Sequence, residues 1–77
     1  GDIILKMGSQ FGYGSWRFME NDETGSWYDI TFDADAPWTL EWGALVYNVD
    51  GTEFIIMSPY SNTDYALVFT YERVLNS

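Results

Sequence analysis

The chain has 77 residues, with twelve acidic and three basic side chains, no histidine, no cysteine, and a formal net charge of −9 at pH 7. A chain this short forms one domain or part of one, and without cysteine it has neither disulfides nor thiolate metal sites. The negative charge repels phosphate backbones and anionic membranes, which excludes nucleic-acid binding through a basic surface.

The first half of the chain predicts strands separated by turns. Residues 2–7 (DIILKM) predict a short apolar strand, and residues 8–14, with their glycines, predict a loop or a kinked strand. Residues 15–20 (SWRFME) and 26–32 (SWYDITF) alternate bulky and polar side chains, as strands do. The polar stretch 21–25 (NDETG) between them suits a hairpin turn, so the two strands are expected to pair.

The second half predicts three more strands. Residues 38–49 form the longest candidate, in which Gly43 is expected to mark a bulge. Asp50-Gly51 is the strongest hairpin signal of the sequence, and it leads into a strand over 52–58. After a turn at PYSN, residues 64–74 predict the last strand.

These elements predict an all-β fold, an antiparallel meander of five to six strands that forms a small or partial barrel. Residues 1–77 then make a single all-β domain, or one part of a larger or multi-chain barrel. The last two strands are apolar on both faces. One face is expected to pack inside and the other to meet a second layer, a ligand or another chain.

The residue types argue against catalysis and against a metal site. Without histidine and cysteine, a Ser-His-Asp arrangement and the usual zinc ligand sets are impossible. The carboxylates fall mainly in turns and on polar faces, and none shows the spacing of an EF-hand loop. We therefore expect a chain that is not an enzyme and holds no metal. The sequence names no cofactor, and no apolar run reaches the roughly 18 residues of a membrane span.

Aromatic residues are the informative feature, with four Trp, six Tyr and five Phe. Their bulk supplies a core, since each buried ring removes about 150–250 Å² from water. The alternative is that some of them form a pocket wall or a stacking platform for an apolar, conjugated or sugar ligand. The acidic charge has its own alternatives to simple solubility, namely a nucleic-acid mimic or a dock for a basic partner.

Two stretches resemble the lipocalins, a family of antiparallel barrels that bind small ligands. Residues 25–30 (GSWYDI) resemble the Gly-x-Trp-Tyr-x-Ile opening of that family, and residues 54–69 are similar to a later part of it. The resemblance implies that Gly25 and Trp27 form a structural motif, with the tryptophan packed at the closed end of the barrel and capped by Arg73. With the Gly1 start, it favours a secreted or processed chain.

The leading hypothesis is a non-enzymatic binding module for an apolar or conjugated small molecule in an aromatic-lined barrel or sheet pocket. The residues expected to line that pocket are Trp38, Trp42, Tyr65, Leu67 and Phe69; the resemblance implies that the last three share one face of a late strand. A protein–protein interaction module, with a second chain or a homo-oligomer as partner, is the alternative. A carbohydrate-binding module is the further alternative.

Overall fold

The computed structural model describes residues 1–70, so Arg73 and the predicted continuation of the last strand lie outside the described part. Within residues 1–70 there is no helix; six antiparallel strands follow one another, each paired with the next, in a sheet that curls into a half-barrel. The strands are β1 (Asp2–Met7), β2 (Gln10–Asn21), β3 (Ser26–Phe32), β4 (Glu41–Val49), β5 (Thr52–Pro59) and β6 (Leu67–Thr70). The predicted all-β meander and partial barrel are thus confirmed.

Two tight turns have the backbone geometry that their sequences predict. Asp50 and Gly51 both have positive φ, 52° and 85°, which is the pattern of the type I′ turn between β4 and β5. Gly8, with φ 63°, begins a two-residue turn between Met7 and Gln10. Residues 8–14 are predicted as a loop or a kinked strand; the loop is confined to this turn, and residues 10–14 belong to β2.

Strand β2 accommodates two glycines because other groups occupy the space of their missing side chains. A Cβ at Gly12 would collide with the indole ring of Trp38, and one at Gly14 would collide with the backbone of Thr31 and Phe32. Such close approach is what glycine in a strand interior permits. The sequence shows where the glycines are, but it does not show which groups occupy the space beside them.

Two predictions for the middle of the sheet are wrong. Trp38 lies in the connection before β4, which begins only at Glu41. Gly43 pairs regularly with Asp29 and Ser58, so it marks no bulge. The irregularity lies instead in β2, where the register shifts between Phe18 and Glu20.

The inner face of the curled sheet carries the hydrophobic core. The buried residues of this core are Ile3, Leu5, Ile30, Phe32, Trp42, Ala44, Ile55 and Met57. Edge-to-face ring contacts extend the core at one end, from Trp38 to Phe32 at 5.3 Å between centroids and from Phe32 to Trp42 at 6.2 Å. Aromatic packing of this kind stabilises a small domain that has no disulfide.

Candidate functional site

The five residues predicted to line a ligand cavity lie in or against this core. Trp42 is 2% exposed, and its indole N–H donates a hydrogen bond to the carbonyl of Thr39 at 2.6 Å. Trp38, Leu67 and Phe69 are half-buried and pack against the same core. Tyr65 lies before β6, exposed, with its ring in edge contact with Trp42 at 6.1 Å between centroids. The structure therefore brings Tyr65 into contact with Trp42 and packs the other three against the core, and the role of all five as ligand contacts stays a prediction.

The predicted structural motif lies at the start of β3. A Cβ at Gly25 would collide with the carbonyl oxygen of Val46 on β4, so glycine is needed there. Trp27 lies on the outer face, 37% exposed, and its indole N–H donates to a carboxylate oxygen of Asp22 at 2.7 Å. This bond, with the amide donors of the turn, lowers the pKa of Asp22. The third member, Arg73, lies outside the described residues.

An apolar groove of about 370 Å³ crosses the outer face of β4 and β5. Cross-strand pairing places Trp27 beside Leu45 and Leu45 beside Ile56, so the three side chains form one row. Leu45 is only 8% exposed although it lies on the outer face. Pro59 and Tyr60 complete the groove on the side where β5 ends. The sheet therefore carries an apolar groove on the face opposite its core.

Tyr60 is held in place at this groove by both its backbone and its side chain. Its amide N–H donates to the carbonyl of Glu41 at 3.0 Å. Its ring lies over Gly43, where a Cβ would approach the ring to 3.2 Å. Its hydroxyl donates a hydrogen bond to the carboxylate of Asp29 on β3. The glycine thus has a packing role, because it leaves room for the ring.

The Asp29 carboxylate has a second partner, the guanidinium of Arg17, at 2.9 Å. The hydrogen bond from Tyr60 and that from Arg17 both stabilise the ionised carboxylate, and they lower the pKa of Asp29. The same hydrogen bond to Asp29 raises the pKa of Tyr60 to about 12. The phenol therefore stays protonated at neutral pH and acts as a hydrogen-bond donor rather than as a base.

A polar cleft of about 330 Å³ adjoins the groove, and Tyr60 lines both spaces. The cleft is lined by the Arg17–Asp29 pair and by three further polar residues, Glu41, Ser15 and Thr31. The outer face consequently presents an apolar space and a polar space side by side, with Tyr60 between them.

Neither a metal cluster nor a membrane-spanning helix is found in the described part of the chain. Residues 1–70 hold no group of three or more acidic, histidine or cysteine side chains placed to bind a metal ion. None of these residues forms a helix long and apolar enough to cross a membrane.

Sequence reasoning missed the outer-face groove and its polar neighbour. Tyr60 belongs to a stretch that predicts only a turn, and Asp29 is 31 positions away from it. No local pattern joins two such residues. A partial signal existed in residues 54–57, whose two apolar faces indicated that the outer side of β5 packs against something.

Comparisons with protein-family models, with curated proteins and with solved structures found no match to this chain.

Proposed function

We propose that this chain is a non-enzymatic binding module for an apolar or conjugated small molecule, which it holds in the outer-face groove between Trp27 and Tyr60. The observation that carries the proposal is a concave apolar space of about 370 Å³ with an almost fully buried leucine at its floor. Ligand pockets commonly have volumes of roughly 300–1,000 Å³, so the groove suits a ligand of one or two rings.

The aromatic walls of the groove are held in place before any ligand binds. Trp27 is tied to Asp22, and Tyr60 is tied to Asp29 and to the backbone of Glu41. Side chains that are already ordered lose less conformational entropy on binding, which favours affinity. The ligand class is the one that the sequence indicates, whereas the proposed site moves from the inner face to the outer face.

Calorimetric titration with indole tests this proposal. We expect saturable binding to the native chain and its loss in Ile56→Lys, which places a charge in the groove. Ile4→Lys is the matched control, since Ile4 is an exposed isoleucine on the outer face of β1, away from the groove. Trp27→Ala provides a second variant in case Ile56→Lys fails to fold. Equal indole binding by all three variants would refute the proposal.

A separate observation favours a second candidate, a protein interaction module that self-associates. Ile4, Phe11 and Tyr13 are large, exposed and adjacent on the outer face of β1 and β2, where Ile4 pairs with Tyr13. Clustered exposed apolar side chains are typical of interfaces. Sedimentation velocity over a range of concentrations tests this, with a dimer expected that Tyr13→Glu disrupts. A monomer at every concentration would contradict it.

No such observation favours carbohydrate binding. Trp42 is buried, and Trp16 and Trp38 pack against the core, which leaves Trp27 as the one exposed tryptophan of the four.

A further inference from the structure

The polar cleft beside the groove contains a carboxylate with no ion-pair partner among the described residues. Arg17 is bound to Asp29 at 2.9 Å, and Asp29 also accepts a hydrogen bond from the hydroxyl of Tyr60, so the charge of Asp29 is compensated. The Arg17–Asp29 contact is the one ion pair that the structure contains within residues 1–70, and Glu41 takes no part in it. Glu41 therefore leaves a negative charge on the wall of the cleft, in a chain whose net charge is −9.

Strand geometry places this charge close to the groove. Glu41, Gly43 and Leu45 alternate with inward-facing residues on β4, and successive members lie about 7 Å apart along the strand. Gly43 and Leu45 border the groove, whereas Glu41 borders the cleft. Tyr60 lies over Gly43 between them. Tyr60 is the one described residue that lines both spaces, so a short substituent on a ring in the groove has to follow the edge of Tyr60 to reach Glu41.

We infer that the ligand of this site is a cationic aromatic amine, with its ring in the groove and its ammonium group between Tyr60 and Glu41. The inference rests on the proposed function and adds the charge and the orientation of the ligand. An ammonium group donates strong hydrogen bonds to a carboxylate and is attracted to the face of an aromatic ring. The acidic chain also attracts cations from solution and repels anions.

Arg17 does not reverse this preference. Its guanidinium is compensated by Asp29, and its side chain is mostly exposed to water, which screens its charge. A ligand carboxylate in the cleft would meet both Glu41 and Asp29 and would have to compete with Asp29 for Arg17. The site therefore discriminates against anionic ligands of the same shape.

Three probes with the same indole ring test the inference by calorimetry: tryptamine, tryptophol and indole-3-propionate, which end in an ammonium, a hydroxyl and a carboxylate. We expect tryptamine to bind about fivefold more tightly than tryptophol at low salt, because one charge pair near a protein surface contributes an attraction of that size. Indole-3-propionate should bind most weakly. Glu41→Gln should abolish the preference for tryptamine and leave the affinity for tryptophol unchanged. Glu53→Gln, an exposed carboxylate of β5 that borders neither space, is the matched control and should keep the preference.

The outcomes separate this inference from the proposed function. If tryptophol binds as tightly as tryptamine, the inference is overturned and the groove remains a binding site for neutral rings. If tryptamine binds but Glu41→Gln and Glu53→Gln weaken it equally, the attraction is due to the general negative charge and the inference is again overturned. If none of the probes binds, the proposed function fails and the inference fails with it.

Discussion

Replacing Tyr60 with phenylalanine removes the hydroxyl that links β3 to the end of β5 and leaves the ring in place. A hydrogen bond to a charged group contributes about 1.5–3 kcal/mol. Tyr60 is 58% exposed, and water competes for the bond, so we expect Tyr60→Phe to lower the free energy of unfolding by about 1 kcal/mol. For a domain of this size that corresponds to a fall in Tm of about 4–8 °C.

The same bond makes stability depend on pH at the alkaline end. The pKa of Tyr60 is about 12 in the folded chain, against the ordinary tyrosine value of 10.0. A raised pKa means that the stabilisation is fully present below pH 10 and is lost as the pH rises towards 12. Absorbance of the tyrosinate ion should show this late titration in the native chain and its absence in Tyr60→Phe.

Tyr13→Phe is the matched control for both measurements. Tyr13 is an outer-face tyrosine of similar exposure, 52%, and the structure gives its hydroxyl no hydrogen bond within residues 1–70. We expect that removing the Tyr13 hydroxyl leaves both Tm and the late titration of Tyr60 unchanged. The reasoning is refuted if Tyr60→Phe and Tyr13→Phe have the same stability, or if the titration near pH 12 survives in Tyr60→Phe.

Three further changes test the packing and the charge network. Trp42→Ala should lower the free energy of unfolding, measured in urea, by about 3–5 kcal/mol because it leaves a cavity at a buried site. Trp27→Ala, at an exposed position, should lower it less. Equal losses would contradict the assignment of Trp42 to the core. Gly12→Ala should destabilise the chain by about 1–3 kcal/mol and alter the near-UV circular dichroism, because the new Cβ displaces the Trp38 ring; an unchanged spectrum would contradict that contact. Because the pKa of Asp29 is lowered, the stabilisation by its ionised form is present above the ordinary aspartate value of 3.8 and is lost as the pH falls below it. Asp29→Asn should therefore flatten the acid limb of stability against pH, and an unaltered limb would refute the pairing.

The fold was largely predictable because its strands are local patterns. The alternation of residues 26–32 correctly predicts Ile30 and Phe32 on one face, and both are buried. Asp50-Gly51 predicts its turn from backbone chemistry alone. The prediction failed where a side chain from elsewhere in the chain decides the outcome. Trp38 has the parity of β4 but packs over Gly12 instead, and alternation cannot show that contact.

The candidate site was less predictable for the same reason. Sequence reasoning favoured tryptophan and tyrosine as ligand contacts, but it assigned Trp27 to a structural motif and placed Tyr60 in a turn, so it named neither residue of the groove. Their position depends on a turn residue meeting Asp29 across the sheet and on a glycine that leaves room for a ring. Alternation assigns residues to two faces but does not show that a groove forms on the outer one. The inner face was therefore the natural expectation for the ligand.

Mapping of amide chemical shifts during a titration with tryptamine tests the central claim most directly, because it locates the ligand. The isotope-labelled chain would be titrated while the shifts of all assigned amides are followed. The outer-face site predicts saturable changes centred on Gly43, Leu45, Ile56 and Tyr60. Saturable changes centred on Leu67 and Phe69, or none anywhere, would contradict it.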